Sequence, residues 1–406
     1  MATRRRLARD KALRIVDVCA FYAPRGGGVK TYVERKLRAA PALGHEMIIL
    51  APGESDSVTE VGRGGRLVTI AAPKFPLDRN YRWFDDERAL HAKLDELQPD
   101  LVEASSPWSS AAMVGRWQGS APRALVMHCD PLAAYAYRWF GRVASVATID
   151  KGFDRFWRHL RALDASFDVV VSASGGLSDR LAAGGLNKVA TIPMGVEPGI
   201  FAPALRSAEL RREMLARCGL GEDATLLLGV GRFAAEKRWP MVVRAAAEAG
   251  RDRNIGLMLI GNGSDRTRAR LEKIAARPGH VAIGGPLSDR AELAAVLASG
   301  DALVHGCEAE TFCMVASEAR ASGLPLIVPD RGGAHDQRLS RAGLAYKSGD
   351  ERALTNAIRI FADRGVELQR HRAIAAADVR TMDQHFAALF ARYEALVPTE
   401  RVLVAA

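Results

Sequence analysis

Two glutamates separated by seven residues are the strongest chemical signal in this sequence. Glu310 and Glu318 belong to the segment ETFCMVASEARASG, which predicts a helix that begins just after Glu310 and carries Glu318 about two turns in. Eight steps at about 1.5 Å per residue cover about 12 Å. Carboxylates so separated can accept hydrogen bonds from a sugar and from the ribose of a folded nucleotide. The N–H groups of Thr311, Phe312 and Cys313 would lie at the helix start, available to phosphate.

Two cations upstream suggest a site for a diphosphate. Arg232 and Lys237 stand five positions apart in GVGRFAAEKRW, across a predicted turn from a strand into a helix. Positive charges beside a helix start attract phosphate because the side chains and the helix dipole act on the same oxygens. Solvated surface side chains are the alternative for both the cations and the glutamates, because neither spacing alone excludes it.

A glycine triplet follows the first predicted strand. Gly26, Gly27 and Gly28 open a predicted helix, where glycine lets the backbone approach a ligand and free N–H groups face an anion. A tight structural turn would explain the triplet equally well. The loop does not read GxGxxG, which counts against a nicotinamide cofactor.

A histidine ends another predicted strand. His128 closes ALVMHCD, and ligands bind at the carboxyl ends of parallel strands in open α/β sheets. A lone histidine is more often structural than functional. His128 and Asp130 lack a third ligand at a suitable spacing, so the sequence predicts no metal site.

The elements that would position these residues alternate between short apolar runs and helical stretches. This alternation predicts an α/β protein with parallel sheets. The pattern restarts near residues 195–205, after VATIPMGV. We therefore predict an N-terminal Rossmann-like domain over 1–197, a C-terminal Rossmann-like domain over 198–378, and a final helix within 379–406.

The composition is that of a globular protein with an affinity for anions. The chain has 406 residues, 48% of them apolar and 26% charged, and a net charge of +10. We find no nucleic-acid motif, and an arginine-rich solvated surface is the alternative explanation of the charge. No apolar run could span a bilayer, the N terminus lacks secretory features, and five scattered cysteines fit a reducing compartment. These features predict a cytoplasmic location.

Taken in order, these motifs resemble family 4 of the retaining glycosyltransferases. The resemblance covers nearly the whole chain and rests on the glycine loop, His128, IPMGVEPGIF, GVGRFAAEKRW, LMLIGNG and ETFCMVASEA. It implies the GT-B fold, in which two Rossmann-like domains face each other across a cleft and the last helix crosses back onto the first domain. It also implies metal-independent transfer from a nucleotide diphosphate sugar.

The resemblance assigns a role to each matching residue. Catalytic roles fall to His128, which would lie against the donor sugar, to Arg232 and Lys237 on the diphosphate, and to Glu310 on the sugar hydroxyls. The expected donor-binding set is Gly27, Gly28, Arg232, Lys237, Glu310, Thr311, Phe312, Cys313 and Glu318, with Glu318 on the ribose. Two departures bear on donor contact: Cys313 stands where the family usually has glycine, and GGAHD at 332–336 replaces glycine-glycine-x-proline-glutamate.

The bacterial members of the family that this chain resembles most suggest mannose from GDP-mannose as the donor. A UDP-hexose is the alternative donor, and a nucleotide-sugar epimerase or a non-catalytic nucleotide-sugar-binding scaffold is the alternative function. The acceptor would be a glycan or a lipid-linked glycan. Basic and aromatic residues between His128 and Asp168 suit peripheral contact with an anionic membrane, unless the aromatic residues form core instead. They are Tyr135, Arg138, Trp139, Arg142, Lys151, Phe153, Arg155, Trp157, Arg158 and Arg161.

Overall fold

The structure is a computed structural model that describes residues 12–22, 28–76, 79–128, 130, 132–136, 140, 144, 146–276 and 279–398. Contacts divide the chain into two compact units. The first unit holds the described residues of 1–129, 144–192 and 383–406, and the second those of 130–143 and 193–382.

An eight-stranded sheet forms the centre of the first unit. Its strands are β1 (Arg14–Val18), β2 (Glu46–Gly53), β3 (Ser57–Glu60), β4 (Gly65–Ala71), β5 (Leu101–Ala104), β6 (Arg123–Met127), β7 (Val169–Ser172) and β8 (Val189–Thr191). They lie in the order β3-β4-β2-β1-β5-β6-β7-β8, and β3 alone is antiparallel to its neighbour. The central strands are buried apolar runs, as expected where helices cover both faces of a parallel sheet.

The described helices of the first unit follow the strands of its sheet. They are α1 (Gly28–Ala42), α2 (Glu87–Leu97), α3 (Ser109–Arg116), α4 (Val146–Gly152), α5 (Asp154–Ser166) and α6 (Gly175–Ala183). The π-helical turn at Leu132–Ala136 instead lies in a segment that belongs to the second unit. Polar side chains fix two of the starts: Asp86 accepts from the Ala89 N–H, and Ser174 accepts from the Leu177 N–H. Each cap satisfies a backbone donor that the first helical turn leaves without a partner.

A six-stranded parallel sheet forms the centre of the second unit. Its strands are β9 (Thr225–Val230), β10 (Ile255–Ile260), β11 (His280–Gly284), β12 (Ala302–Val304), β13 (Leu326–Pro329) and β14 (Gly343–Tyr346), in the order β11-β10-β9-β12-β13-β14. Successive residues of β9 join different apolar clusters, Leu226 and Leu228 in one and Leu227 in the other. Side chains alternate between the faces of a strand, so the sheet separates two layers of core.

The described helices of the second unit supply those two layers. They are α7 (Ala208–Arg217), α8 (Trp239–Ala249), α9 (Asp265–Ala275), α10 (Arg290–Ser299), α11 (Met314–Ala321), α12 (Gly333–Asp336), α13 (Glu351–Asp363) and α14 (Val366–Ile374). A further helix, α15 (Met382–Glu394), ends the described chain. Within the described ranges, none of the helices combines the length and apolar character that a bilayer span requires.

The last helix packs into the core of the first unit. His385 Nε2 lies 2.9 Å from the Tyr32 hydroxyl of α1, and Phe386 contacts the same tyrosine ring. Near the end of α15, the Tyr393 hydroxyl donates to the Glu103 carboxylate of β5 at 2.8 Å. The helix therefore adds both apolar and polar contacts to a sheet that is far from it in sequence.

A fully buried lysine connects α1 to the middle of the first sheet. The Lys36 ammonium lies 2.6 Å from Asp17 of β1 and 2.6 Å from Glu103, and all three side chains are inaccessible to solvent. Burial alone would lower the pKa of Lys36, but the two carboxylates outweigh it and raise that pKa. The lysine is therefore charged, and it compensates two carboxylates that would otherwise be costly to bury.

The predicted α/β class with two parallel-sheet domains is confirmed by this architecture. Two strands were not predicted. β3 (SVTE) is exposed along its whole length at the edge of its sheet, so it has no apolar run. β14 (GLAY) is short and begins with glycine, which disfavours strands.

Candidate active site

The central contact of the candidate site joins Lys237 to Glu310. Lys237 ends a 3-10 turn, Ala235–Lys237, that follows β9, while Glu310 lies in the loop after β12. The Lys237 ammonium donates a hydrogen bond to the Glu310 carboxylate. β9 and β12 are neighbours in the sheet, so their carboxyl ends bring together two residues that are 73 positions apart.

Charge pairing determines the ionisation of both groups. Burial disfavours the charged form of each group. For Lys237, attraction to the Glu310 carboxylate outweighs the effect of burial and raises the pKa of Lys237 above its usual value. The pKa of Glu310 is likewise lowered despite burial, because His305 and Lys237 stabilise the carboxylate. The site therefore presents a positive and a negative group side by side, suited to a ligand that carries both phosphate oxygens and hydroxyls.

Close backbone approaches hold the loops that carry this pair. A Cβ on Gly306 would lie 2.5 Å from the Lys237 carbonyl oxygen. A Cβ on Gly333 would lie 2.5 Å from the Phe312 nitrogen and 2.6 Å from the Thr311 carbonyl carbon. The Gly333 N–H also donates to the Glu310 carbonyl at 2.6 Å. Although GGAHD departs from the common family pattern, its second glycine is therefore required for packing against the Glu310 loop.

Gly333→Ala should disturb the candidate site, because a methyl group there must displace the backbone of Thr311 and Phe312. We expect transfer activity to fall at least about tenfold, as small displacements of positioning groups can cost about 100-fold. Steady-state transfer assays on the folded variant would measure it. Gly285→Ala is the matched control, since no atom lies within 4 Å of that Cβ. Equal activity of both variants would contradict the prediction.

The helix that carries Glu318 begins later than predicted. α11 starts at Met314, with Cys313 at its N-cap, so Thr311 and Phe312 precede the helix and Glu318 lies just over one turn into it. The prediction of a helix directly after Glu310 was wrong, and with it the estimate of about 12 Å along a helix axis. Cys313 adopts φ +66°, a left-handed conformation that interrupts helical geometry and favours glycine.

Glu318 pairs with an arginine that the sequence did not single out. Arg290, the first residue of α10, donates to the Glu318 carboxylate at 2.6 Å and lies 3.5 Å from Glu197. Its guanidinium also lies 4.9 Å from the centre of the Phe201 ring. Glu318 is nearly inaccessible to solvent, so this cation compensates its burial and fixes the direction of the carboxylate.

Arg232 differs from Lys237 in its surroundings. Its side chain is 75% exposed, and its guanidinium lies 3.5 Å from Glu236 in the following turn. None of the contacts described for this residue reaches Glu310 or Glu318. The structure thus brings Lys237 and Glu310 into contact and leaves Arg232 as an exposed cation near the start of the same turn.

Two further predicted site residues, His128 and Gly28, belong to the first unit. His128 directly follows β6, and its ring lies 4.9 Å from the Tyr32 ring in an edge-on arrangement. Gly28 is the exposed first residue of α1, with open space where a side chain would stand. Gly27 lies outside the described residues. Of the basic and aromatic set, the side chains of Tyr135, Arg138, Trp139 and Arg142 also lie outside them.

His128 should make the stability of the first unit depend on pH. Burial, with help from Lys36 and His385, lowers its pKa to about 3. The unfolded chain therefore binds a proton below about pH 6.5 that the folded chain excludes, and stability falls as the pH decreases. Between pH 6.5 and 4.5 we expect His128 to account for a loss on the order of 2 kcal/mol.

Urea unfolding of the wild type and of His128→Gln across this pH range would test that linkage. The glutamine cannot titrate, so the difference in unfolding free energy between the two proteins should narrow or reverse on acidification. Curves that stay parallel from pH 6.5 to 4.5 would show that the folded protein protonates His128 normally.

Three site residues were not found by sequence reasoning. Arg290 pairs with Glu318, Arg238 donates to the Glu308 carboxylate at 2.8 Å, and His305 lies 3.5 Å from Glu310. His305 directly follows β12, as His128 follows β6, so its strand-end position was an available signal. Arg238 and Arg290 offered no such signal, because their partners are distant in sequence.

Comparison with known families matches both halves of the chain. The family model described as Glycosyltransferase Family 4 matches residues 26–199, and the model described as Glycosyl transferases group 1 matches residues 211–379. A GDP-mannose-dependent alpha-mannosyltransferase of Mycobacterium tuberculosis is 31% identical over 333 residues, 80% of this chain and 81% of the relative. A GDP-mannose-dependent alpha-(1-6)-phosphatidylinositol dimannoside mannosyltransferase of the same organism is 28% identical over 96% of this chain and 98% of its own.

Solved structures match the fold across nearly the whole chain. Sucrose-phosphate synthase from Thermosynechococcus elongatus superimposes with a TM-score of 0.71 at 21% identity, covering 95% of this chain and 99% of that one. Anabaena HepE, in complex with UDP and glucose, gives a TM-score of 0.64 at 15% identity, with 94% and 100% covered. These likenesses establish the GT-B fold. Family models match both units, and one relative is 31% identical to this chain over about four fifths of each sequence. The chain therefore belongs to glycosyltransferase family 4 and is a glycosyltransferase.

Proposed function

We propose that the protein transfers mannose from GDP-mannose to a glycan or lipid-linked glycan, with retention of configuration and without a metal cofactor. The Lys237–Glu310 contact is the observation that carries this proposal. A nucleotide sugar offers phosphate oxygens to the ammonium and hydroxyls to the carboxylate, so one ligand can satisfy both members of the pair. The mannosyltransferases of Mycobacterium tuberculosis, named for their use of GDP-mannose, favour this donor.

Each charged group has a defined task in the proposed reaction. Lys237 stabilises the negative charge that grows on the diphosphate as the glycosidic bond breaks, and Arg232, an exposed cation beside Glu236, adds a second positive charge. Glu310 orients the sugar through its hydroxyls, and Glu318 accepts from the ribose diol. The leaving phosphate takes the proton of the incoming hydroxyl on the same face of the sugar, which retains the configuration. Cationic side chains fill the role that a divalent metal has in other transferases.

A donor panel tests the proposal directly. Thermal unfolding is measured with GDP, UDP, ADP and their common sugar conjugates in the presence of EDTA, for the wild type and for Arg232→Ala. We expect stabilisation by GDP and GDP-mannose that is reduced in the variant. The anomeric signal of the product, followed by NMR from the start of turnover, should show the configuration of the donor.

Other outcomes identify the alternatives. Stabilisation by UDP conjugates would assign a UDP-hexose donor, and an isomerised sugar formed without acceptor would indicate an epimerase. Binding of a nucleotide sugar without turnover, across a panel of lipid-linked and soluble glycans, would indicate a scaffold. Turnover that EDTA abolishes and a divalent metal restores would contradict metal independence.

We further propose peripheral contact with an anionic membrane at the cytoplasmic face, through α5 and the residues beside it. Lys151 and Arg155 are exposed there. Trp108 is 36% exposed, and its ring lies 5.9 Å from that of Phe156. Cations beside partly exposed aromatic rings suit the surface of anionic lipid. Trp157 is instead buried, so it belongs to the core, which is the alternative given above for the aromatic residues of this segment.

Flotation with liposomes of phosphatidylglycerol and phosphatidylcholine at low salt tests this contact. The double variant Lys151→Glu and Arg155→Glu should lose binding. Arg266→Glu with Arg270→Glu on α9 carries the same change of charge at exposed positions and should retain it. Failure of the wild type to float would remove the membrane proposal without affecting the donor assignment.

A further inference from the structure

Three potential metal ligands converge beside the Lys237–Glu310 contact. They are an imidazole, a carboxylate and a thiol, from His305, Glu310 and Cys313, and their ligand atoms all lie within 4.8 Å of one another. His305 and Cys313 are 1% and 3% exposed. Such a set of nitrogen, oxygen and sulfur ligands is typical of zinc sites, where three protein ligands leave a fourth position open.

The distances fit a tetrahedral cation of the size of Zn²⁺. His305 Nε2 lies 3.5 Å from Glu310 Oε1 and 3.7 Å from Cys313 Sγ. With the usual zinc–ligand bond lengths, a tetrahedral site separates nitrogen from oxygen by about 3.3 Å and nitrogen from sulfur by about 3.6 Å. These two separations therefore need only small side-chain adjustments to accommodate the ion.

The backbone holds two of these ligands in place. His305 follows β12, and its carbonyl accepts a hydrogen bond of 2.8 Å from the Tyr346 hydroxyl. Cys313 occupies a left-handed position with φ +66°, where glycine would be the unstrained residue. The thiol is thus present at a conformational cost, and the glycine that is usual in the family would remove the third ligand entirely.

We propose that His305, Glu310 and Cys313 form a binding site for a thiophilic divalent cation such as Zn²⁺, and that occupancy of this site inhibits sugar transfer. The inhibition rests on the proposed function, in which Glu310 holds the donor sugar. On binding, the Cys313 thiol releases its proton to solvent and the thiolate, the imidazole and the carboxylate bond to the cation. Glu310 then leaves Lys237 and cannot accept the sugar hydroxyls, so the cation competes with the donor.

Local charges make this a reversible inhibitory site rather than a structural one. The thiolate and the carboxylate balance the two charges of the ion, but the Lys237 ammonium remains nearby and opposes it. His305 Nδ1 has no hydrogen-bond partner among the described residues, so the usual second-shell support of a zinc-bound imidazole is missing there. Mg²⁺ prefers oxygen ligands in octahedral geometry and should not bind.

Cobalt substitution tests the site without requiring turnover. Wild-type protein, freed of metals with a chelator, is titrated with Co²⁺ and should develop a thiolate-to-cobalt charge-transfer band that Zn²⁺ abolishes and Mg²⁺ does not. Cys313→Gly suits the backbone and should lose the band. Cys313→Ser, which keeps a side chain, should lose it as well. Cys307→Ser is the matched control, because this nearby buried thiol is outside the ligand group and its loss should leave the band unchanged.

Inhibition is measured separately, as the Zn²⁺ concentration that halves the transfer rate. This Zn²⁺ concentration should rise at least about tenfold in Cys313→Gly, since even loss of an outer-shell partner weakens metal binding about 10–100-fold. Zn²⁺ should raise the apparent KM for the donor without lowering kcat.

Absence of the cobalt band in the wild type, its persistence in both Cys313 variants, or its loss in Cys307→Ser overturns the site. A normal band in a protein that transfers no sugar would instead refute the proposed function and the inhibition that rests on it, and would leave the cation site in place.

Discussion

Lys237→Met is expected to lower kcat/KM for sugar transfer by about 100- to 1,000-fold. This is the range observed when one group that stabilises developing negative charge is removed from an active site. Methionine keeps most of the side-chain volume but removes the cation, which would act on the leaving diphosphate. Lys237 is largely buried, so the lost charge cannot be replaced efficiently by water or counterions.

Steady-state kinetics over a range of donor concentrations would measure the effect. Because the cation is needed most as charge develops, kcat should fall more than KM rises. Arg244→Ala is the matched control: it removes a cation from α8, where Arg244 pairs with Glu351 at 2.7 Å on a partly exposed surface. That variant should keep near wild-type kinetics, since surface ion pairs contribute at most about 1 kcal/mol. Comparable losses in both variants would indicate a general effect of charge rather than a specific site.

Lys36→Met is expected to destabilise the first unit by about 3–5 kcal/mol. The substitution leaves Asp17 and Glu103 fully buried without their cation, and breaking a buried ion pair from one side has this cost. Hydroxyl groups still donate to the same carboxylates: Ser105 lies 2.7 Å from Asp17 and 3.2 Å from Glu103, and Tyr393 lies 2.8 Å from Glu103. They stabilise the charges only in part, because neither supplies a positive charge.

Native-state hydrogen exchange followed by mass spectrometry would measure this loss of stability separately for each unit. Protection of peptides from β1 and β5 should fall, whereas that of peptides from β9 in the second unit should be kept. Tyr393→Phe is a graded comparison and should cost about 1.5–3 kcal/mol, the usual net value of one hydrogen bond to a charged group. Adding Asp17→Asn and Glu103→Gln to Lys36→Met should recover part of the stability, because it removes the unpaired charges. No recovery would show that the lysine stabilises through packing of its stem.

Local sequence patterns determined most of the architecture. The apolar runs of β1, β2, β9 and β10 are continuous because both faces of a parallel strand are buried, and this feature can be recognised without tertiary contacts. From their strand-end positions we also predict that His128 and the Arg232–Lys237 turn lie where ligands bind. The resemblance to family 4 rests on the same local motifs, and the comparisons confirmed it.

Tertiary structure decided which groups meet and in what state. Lys237 meets Glu310 and Arg290 meets Glu318 only because neighbouring strands and helices bring distant segments together. The start of α11 depended on the left-handed backbone at Cys313, and the spacing of Glu310 and Glu318 carries no information on that backbone conformation. The approach of Cys313 to His305 likewise followed from the loop after β12. Sequence thus determined the elements and the type of chemistry, while partner choice depended on contacts between elements, for which local patterns carry no signal.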